Sequence, residues 1–275
     1  MSLFELENIV EMQGWTKLIL FILIISNFII IICLKFQINI ITKIKSMFDI
    51  KDIKKDLSST KTALLIIPHP EDELLYWSPT IKSLINYKIK LKILCLSTKN
   101  QNEKIFKNND EINDNFEEIS KILKLEENKI INVSSFEPEI ISKEIKTYLD
   151  DNSDIGTILC FDDIGVGNNE HSNCYFGLEL CLKNNREEIK KKEIKIFLLD
   201  SFNILFKYSF IIPLIFFYFK EFGFMISNCF EYNKWMKNHN NINIGFLKRI
   251  KLFINCYSYF NSFTRVELKQ NLFKY

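Results

Sequence analysis

The stretch LLIIPHPEDELLYWSPTI, beginning at Leu64, sets His69, Glu71, Asp72 and Glu73 close together between two apolar runs. His-x-x-Asp spacing lets an imidazole nitrogen and a carboxylate oxygen turn toward one point as the chain enters a helix. That donor pair suits zinc or another borderline divalent ion. Glu71, between them, could act as a base on a water held there. Acids in the first turn of a helix also complement its macrodipole, so the cluster alone admits a purely structural explanation.

A second stretch favours the metal. FDDIGVGNNEHSNC, residues 161–174, carries His171, with Cys174 three residues later. The chain has three histidines, and two of them follow strand-like runs. His239 has no such setting and reads as a structural or surface residue.

These residues need elements that bring them together. Between residues 61 and 201 the chain alternates strand-like and helix-like segments. TALLIIPH, LKILCLST, KIINVSSF, IGTILCF and KEIKIFLLDS read as strands. EDELLYWSPTIKSLINY, interrupted by Pro79, NFEEISKILKL, PEIISKEIKTYLDD and HSNCYFGLELCLKNN read as helices. KNQNEKIFKNNDEINDN reads as a surface loop. The alternation predicts an α/β fold, a Rossmann-like three-layer sandwich with a mainly parallel sheet. Right-handed crossovers put the strand-to-helix loops on one sheet edge, where such folds bind ligands near the switch in strand order.

Composition bounds the rest. The 275 residues are 47% hydrophobic, enough for a sizeable core, and the net charge of +2 argues against a nucleic-acid partner. Seven cysteines form no C-x-x-C pair, as expected of free thiols in a reducing compartment. LILFILIISNFIIIICL, residues 18–34, spans roughly 26 Å as a helix. No small-residue cleavage site follows, so a transmembrane helix is expected over residues 18–36. Lys35, Lys43, Lys45, Lys51, Lys54 and Lys55 follow the run, whereas Glu5, Glu7 and Glu11 precede it. The positive-inside tendency then puts the bulk of the chain in the cytoplasm. The expected organisation is a short tail over 1–17, the membrane helix over 18–36, a lysine-rich tether over 37–60 and one domain over 61–275 with a carboxyl-terminal helical extension. FIIPLIFFYF, residues 210–219, is too short to span and reads as core packing, with a membrane-touching patch as the alternative.

PHPEDELLYWSPTI resembles the H-P-D-D-E signature of the LmbE-like deacetylases, and its continuation resembles their eukaryotic branch, the N-acetylglucosaminyl-phosphatidylinositol de-N-acetylases. LCLSTKN is similar to the family's Ser-Thr-Gly-Asn motif, with Lys99 in place of Gly beside Ser97, Thr98 and Asn100. FDDIGVGNNEHSNC is similar to F-D-x-x-G-V-S-G-H-x-N-H. LLDSFNILFKYSFIIPL and the stretch from Met236 loosely echo later family segments.

The resemblance implies a metal, zinc by preference, held by His69, Asp72 and a third ligand from the second motif. It implies that Glu71, where the family has Asp, is the general base. Matching Asn173 to the family's Asn makes Cys174 the third ligand and His171 the group that stabilises the oxyanion. A second register makes His171 the ligand and puts Asn168 at the earlier histidine's place. The implied reaction is deacetylation of GlcNAc-phosphatidylinositol, a lipid substrate, in the second step of GPI-anchor biosynthesis. The implied location is the endoplasmic reticulum membrane, single-pass, with the catalytic domain facing the cytoplasm. The departures at Glu71 and Cys174, and the lack of a clear counterpart to a substrate-binding Arg, motivate two alternatives. One is a non-catalytic relative binding a glycolipid or protein; the other is a deacetylase of a different N-acetyl sugar.

Overall fold

The computed structural model describes residues 60–70, 72–98, 127–202, 207, 224–226, 255, 257 and 260–266, with eight positions between 14 and 25. TALLII forms β1 (Thr62–Ile67), every residue of which is buried. An apolar run of this length is what a strand covered on both faces requires. The chain then makes a short helix, α1 (Asp72–Leu75), breaks at Tyr76 and Trp77, and resumes as α2 (Ser78–Asn86), with Pro79 in its first turn. Proline is tolerated there because the first helical N–H groups have no intrahelical partner.

β2 (Lys90–Thr98) and β3 (Glu127–Val133) follow, then α3 (Pro138–Asp151) and β4 (Ile155–Phe161). Next come a 3-10 turn (Gly165–Gly167), α4 (Asn169–Asn184), α5 (Arg186–Lys191) and β5 (Lys195–Leu199). β6 (Phe224–Ile226) and β7 (Phe260–Val266) complete the sheet. The strand order is β3-β2-β1-β4-β5-β7-β6. The first five strands are mutually parallel, and β7 pairs antiparallel with both β5 and β6. The fold is therefore α/β with a mostly parallel sheet. The chain runs outward from β1 through β2 to β3 and then returns to β4 on the other side of β1. The β1–β4 junction is thus the switch in strand order, where such sheets form their ligand crevice.

Alternate side chains of the central strands serve the two faces. Leu64, Ile66, Leu94, Ile158, Cys160 and Ile196 pack in one cluster with Ile141, Ile145, Leu178 and Leu182 of α3 and α4. The intervening residues point the other way, where the Trp77 ring lies 5.5 Å from that of Phe161.

The expected membrane helix over 18–36 and single-pass anchoring in the endoplasmic reticulum membrane are corrected here. Among the described residues, no helix is long and apolar enough to cross a membrane. The helical positions described in that region lie between Gly14 and Ile25. The tether up to residue 59, the helix expected from NFEEISKILKL, the apolar run at 210–219 and His239 lie outside the described residues.

Candidate metal centre

His69 and His171 meet at the carboxyl end of the β1–β4 junction. His69 sits in the turn that leaves β1. The Asp72 N–H donates to the His69 carbonyl at 3.3 Å, and the His69 N–H donates to Asp72 Oδ2 at 3.1 Å. The His-x-x-Asp segment therefore closes on itself, and both side chains face the same space. Nδ1 of His69 lies 3.1 Å from Asp72 Oδ2, and Nε2 of His171 lies 2.9 Å from the same oxygen.

His171 reaches this point from the first turn of α4. Asn168 caps the helix, its side chain accepting the Glu170 N–H at 2.9 Å. The turn before it needs glycine at 165: φ is +58°, and a Cβ there would lie 2.3 Å from the Ser172 nitrogen. Asp162 latches this turn to the loop after β5. Its carboxylate accepts the Gly165 N–H at 3.0 Å and the Ser201 N–H at 2.7 Å, while the Val166 N–H donates to Ser201 Oγ at 2.6 Å. Burial raises the Asp162 carboxyl, although the bonds from Ser201 and Gly165 pull the other way.

His171 is only 2% exposed. Its ring packs 4.3 Å from Phe161, 5.4 Å from Tyr76 and 5.3 Å from His69, centre to centre. Its Nδ1 is buried with no hydrogen-bond partner among the described residues. Burial alone would raise the Asp72 carboxyl, but His171 and then His69 hold it well below the ordinary carboxylate range. Burial likewise opposes charge on His69, yet Asp72 and Glu170 lift its imidazole to about 9.

The donor set fits a divalent ion. One ligand atom each from His69, Asp72 and His171 lies within 4.8 Å of the other two. Two imidazoles and a carboxylate match the nitrogen and oxygen preferences of zinc and related ions. Two imidazole nitrogens converging on one buried carboxylate oxygen are the arrangement such an ion would require.

Cys174, expected as the third ligand, is not part of this group; His171, expected to stabilise the oxyanion, is the residue of its motif whose donor atom lies with those of His69 and Asp72. Three residues along a helix share a face but lie about 4.5 Å apart along the axis. His171 is therefore level with the sheet edge, whereas Cys174 lies deeper, fully buried among the α3 and α4 core side chains. Burial pushes the Cys174 thiol well above its usual range. Asn168, at the earlier position in the second register, is a helix cap. Glu71 lies outside the described residues, as do Lys99 and Asn100; Ser97 is buried in β2. Glu170, whose Oε2 contacts His69 Nε2, was not singled out from the sequence. Its signal was an acid immediately before a candidate ligand. Nor were the Tyr76 and Phe161 walls, which read simply as apolar positions.

Residues 64–181 match the family model described as PIG-L: GlcNAc-PI de-N-acetylase. No curated protein matches the chain. Among solved structures, N,N'-diacetylchitobiose deacetylase from Pyrococcus horikoshii is similar, with 13% identity, a TM-score of 0.46, and coverage of 81% of this chain and 89% of that one. A teicoplanin-pathway deacetylase in complex with teicoplanin is 8% identical over 76% of this chain and 100% of that one, with a TM-score of 0.44. GalB, the 4-carboxy-2-hydroxymuconate hydratase from Pseudomonas putida KT2440, is 10% identical over 76% and 97%, with a TM-score of 0.43. The likeness to the PIG-L family model thus covers residues 64–181, the segment that holds both histidine loops.

Proposed function

We propose that this protein hydrolyses the N-acetyl group of GlcNAc-phosphatidylinositol, releasing acetate and the free amine, with zinc at the His69, Asp72 and His171 centre. One observation carries the reading: the ligand atoms of these three residues converge within 4.8 Å at the carboxyl edge of the sheet. The family description matched by residues 64–181 suggests the substrate. A bound ion would polarise the acetyl carbonyl and lower the pKa of the attacking water toward about 7.

The chain's own residues divide the remaining work. His69, Asp72 and His171 hold the ion. Phe161 and Tyr76 pack beside the buried His171 ring and keep water from its inner side. Glu71 is assigned the proton transfer, taking a proton from water as the C–O bond forms and giving it to the amine as the C–N bond breaks. A carboxylate and two neutral imidazoles leave a divalent site cationic. An added thiolate would cancel that charge, so a ligand set without Cys174 favours catalysis over the non-catalytic alternative.

The test is acetate release from GlcNAc-phosphatidylinositol by the zinc-loaded full chain and by Asp72→Asn, which keeps the side-chain shape. The wild type should turn over, and the variant should lose activity while retaining its circular dichroism. Equal rates from the two proteins would refute the reading.

A further inference from the structure

The two histidines of the centre are held differently. His171 offers Nε2 to Asp72 at 2.9 Å, and its Nδ1 is buried without a hydrogen-bond partner among the described residues. His69 offers the opposite nitrogen, Nδ1, to the same oxygen at 3.1 Å, and its Nε2 contacts Glu170 Oε2. A neutral imidazole has one N–H, and the nitrogen that carries it cannot also donate a lone pair to a metal. An ionised carboxylate only accepts. With an ion bound between Nδ1 and Asp72, Nδ1 must give it a lone pair, and the one remaining proton is left on Nε2, facing Glu170.

We propose that Glu170 is a positioning residue: by accepting the Nε2 proton of His69 it fixes that ring's tautomer and orientation, and so makes Nδ1 the metal-binding atom. This deepens the metal reading above and rests on it. The local structure supplies the means. Glu170 directly precedes His171, and its backbone N–H is bound by the Asn168 cap. One helical turn thus provides one ligand and orients another. The two loops are locked together by the same contact, because His69 leaves β1 and Glu170 follows β4. The pair lies near the mouth of the site, with side chains 18% and 29% exposed, so the Glu170 carboxylate is reached without full desolvation. Carboxylates placed behind a ligating histidine raise its basicity, and removing one typically weakens metal binding about 10- to 100-fold.

Zinc affinity can be read directly by competition with a chromophoric chelator, using the full chain, Glu170→Ala and Glu170→Gln. Glu170→Ala should bind about 10- to 100-fold more weakly. Glu170→Gln, which keeps an acceptor oxygen, should recover part of that loss. Long-range proton–nitrogen spectra of the zinc-loaded wild type should show His69 protonated at Nε2, a signature that a merely structural glutamate would not produce. Because this spectrum needs no Glu170 variant, misfolding cannot mask the answer; His69→Gln identifies the resonance. A His69 proton on Nδ1, or unchanged affinity in Glu170→Ala, would overturn the assignment while leaving the metal centre standing. A wild type that binds no zinc would overturn both.

Discussion

His69 takes up a proton more readily than a free imidazole because two acids face it, Asp72 at Nδ1 and Glu170 at Nε2. In the metal-free protein its pKa stands at about 9, above the ordinary 6.5. The folded state therefore binds more protons than the unfolded state between those values. The stabilisation is fully present below pH 6.5 and is lost as pH rises through about 9. Thermal melts of the metal-free protein should fall between pH 7 and 9.5, and His69→Gln should flatten that fall. A wild-type profile as flat as the variant's would contradict the electrostatic picture. At this scale, residue types and spacing pointed to two loops that the fold brings together, because donor chemistry is written in side-chain identity. The depth of Cys174 was not legible. Spacing gives the face of a helix but not the level at which the core closes over it.

At the scale of elements, α4 carries His171 and must therefore be fixed against α3. Gly177 makes that possible: a Cβ there would lie 2.3 Å from Ile141 Cγ2 and 3.2 Å from the Pro138 carbonyl. Gly177→Ala should cost about 1–3 kcal/mol, read by urea unfolding. Adding Ile141→Ala should cost less than the two changes summed, since it removes the nearest clashing atom. Strict additivity would mean that the helices do not meet as described. The sequence showed β1 to β5 as apolar runs between turn signals. It did not show β7, whose FNSFTRV pattern buries Asn261 and Ser262 and so lacks a strand's apolar alternation.

Across the whole molecule, β7 returns to support the motif at the other end of the domain. The Asn261 amide donates to the Tyr76 carbonyl at 2.6 Å and accepts from the Thr80 hydroxyl at 2.7 Å. Asn255 donates to the Leu75 carbonyl at 3.1 Å, and the Tyr257 hydroxyl donates to the Asp200 carbonyl at 3.1 Å. The α1–α2 break is thus held from a distance, which no local pattern in the sequence reveals. Asn261→Ala leaves buried polar groups unsatisfied and should cost about 1–3 kcal/mol. Calorimetric melting of the metal-free protein checks this; an unchanged melting temperature would show that the clamp contributes nothing.

The centre itself is tested most directly by zinc-edge X-ray absorption on the loaded protein. Two imidazoles and oxygen donors should fill the ion's surroundings, with His69, Asp72 and His171 as their source. A sulfur scatterer near 2.3 Å, the usual zinc–thiolate distance, would return Cys174 to the ligand set and contradict the account.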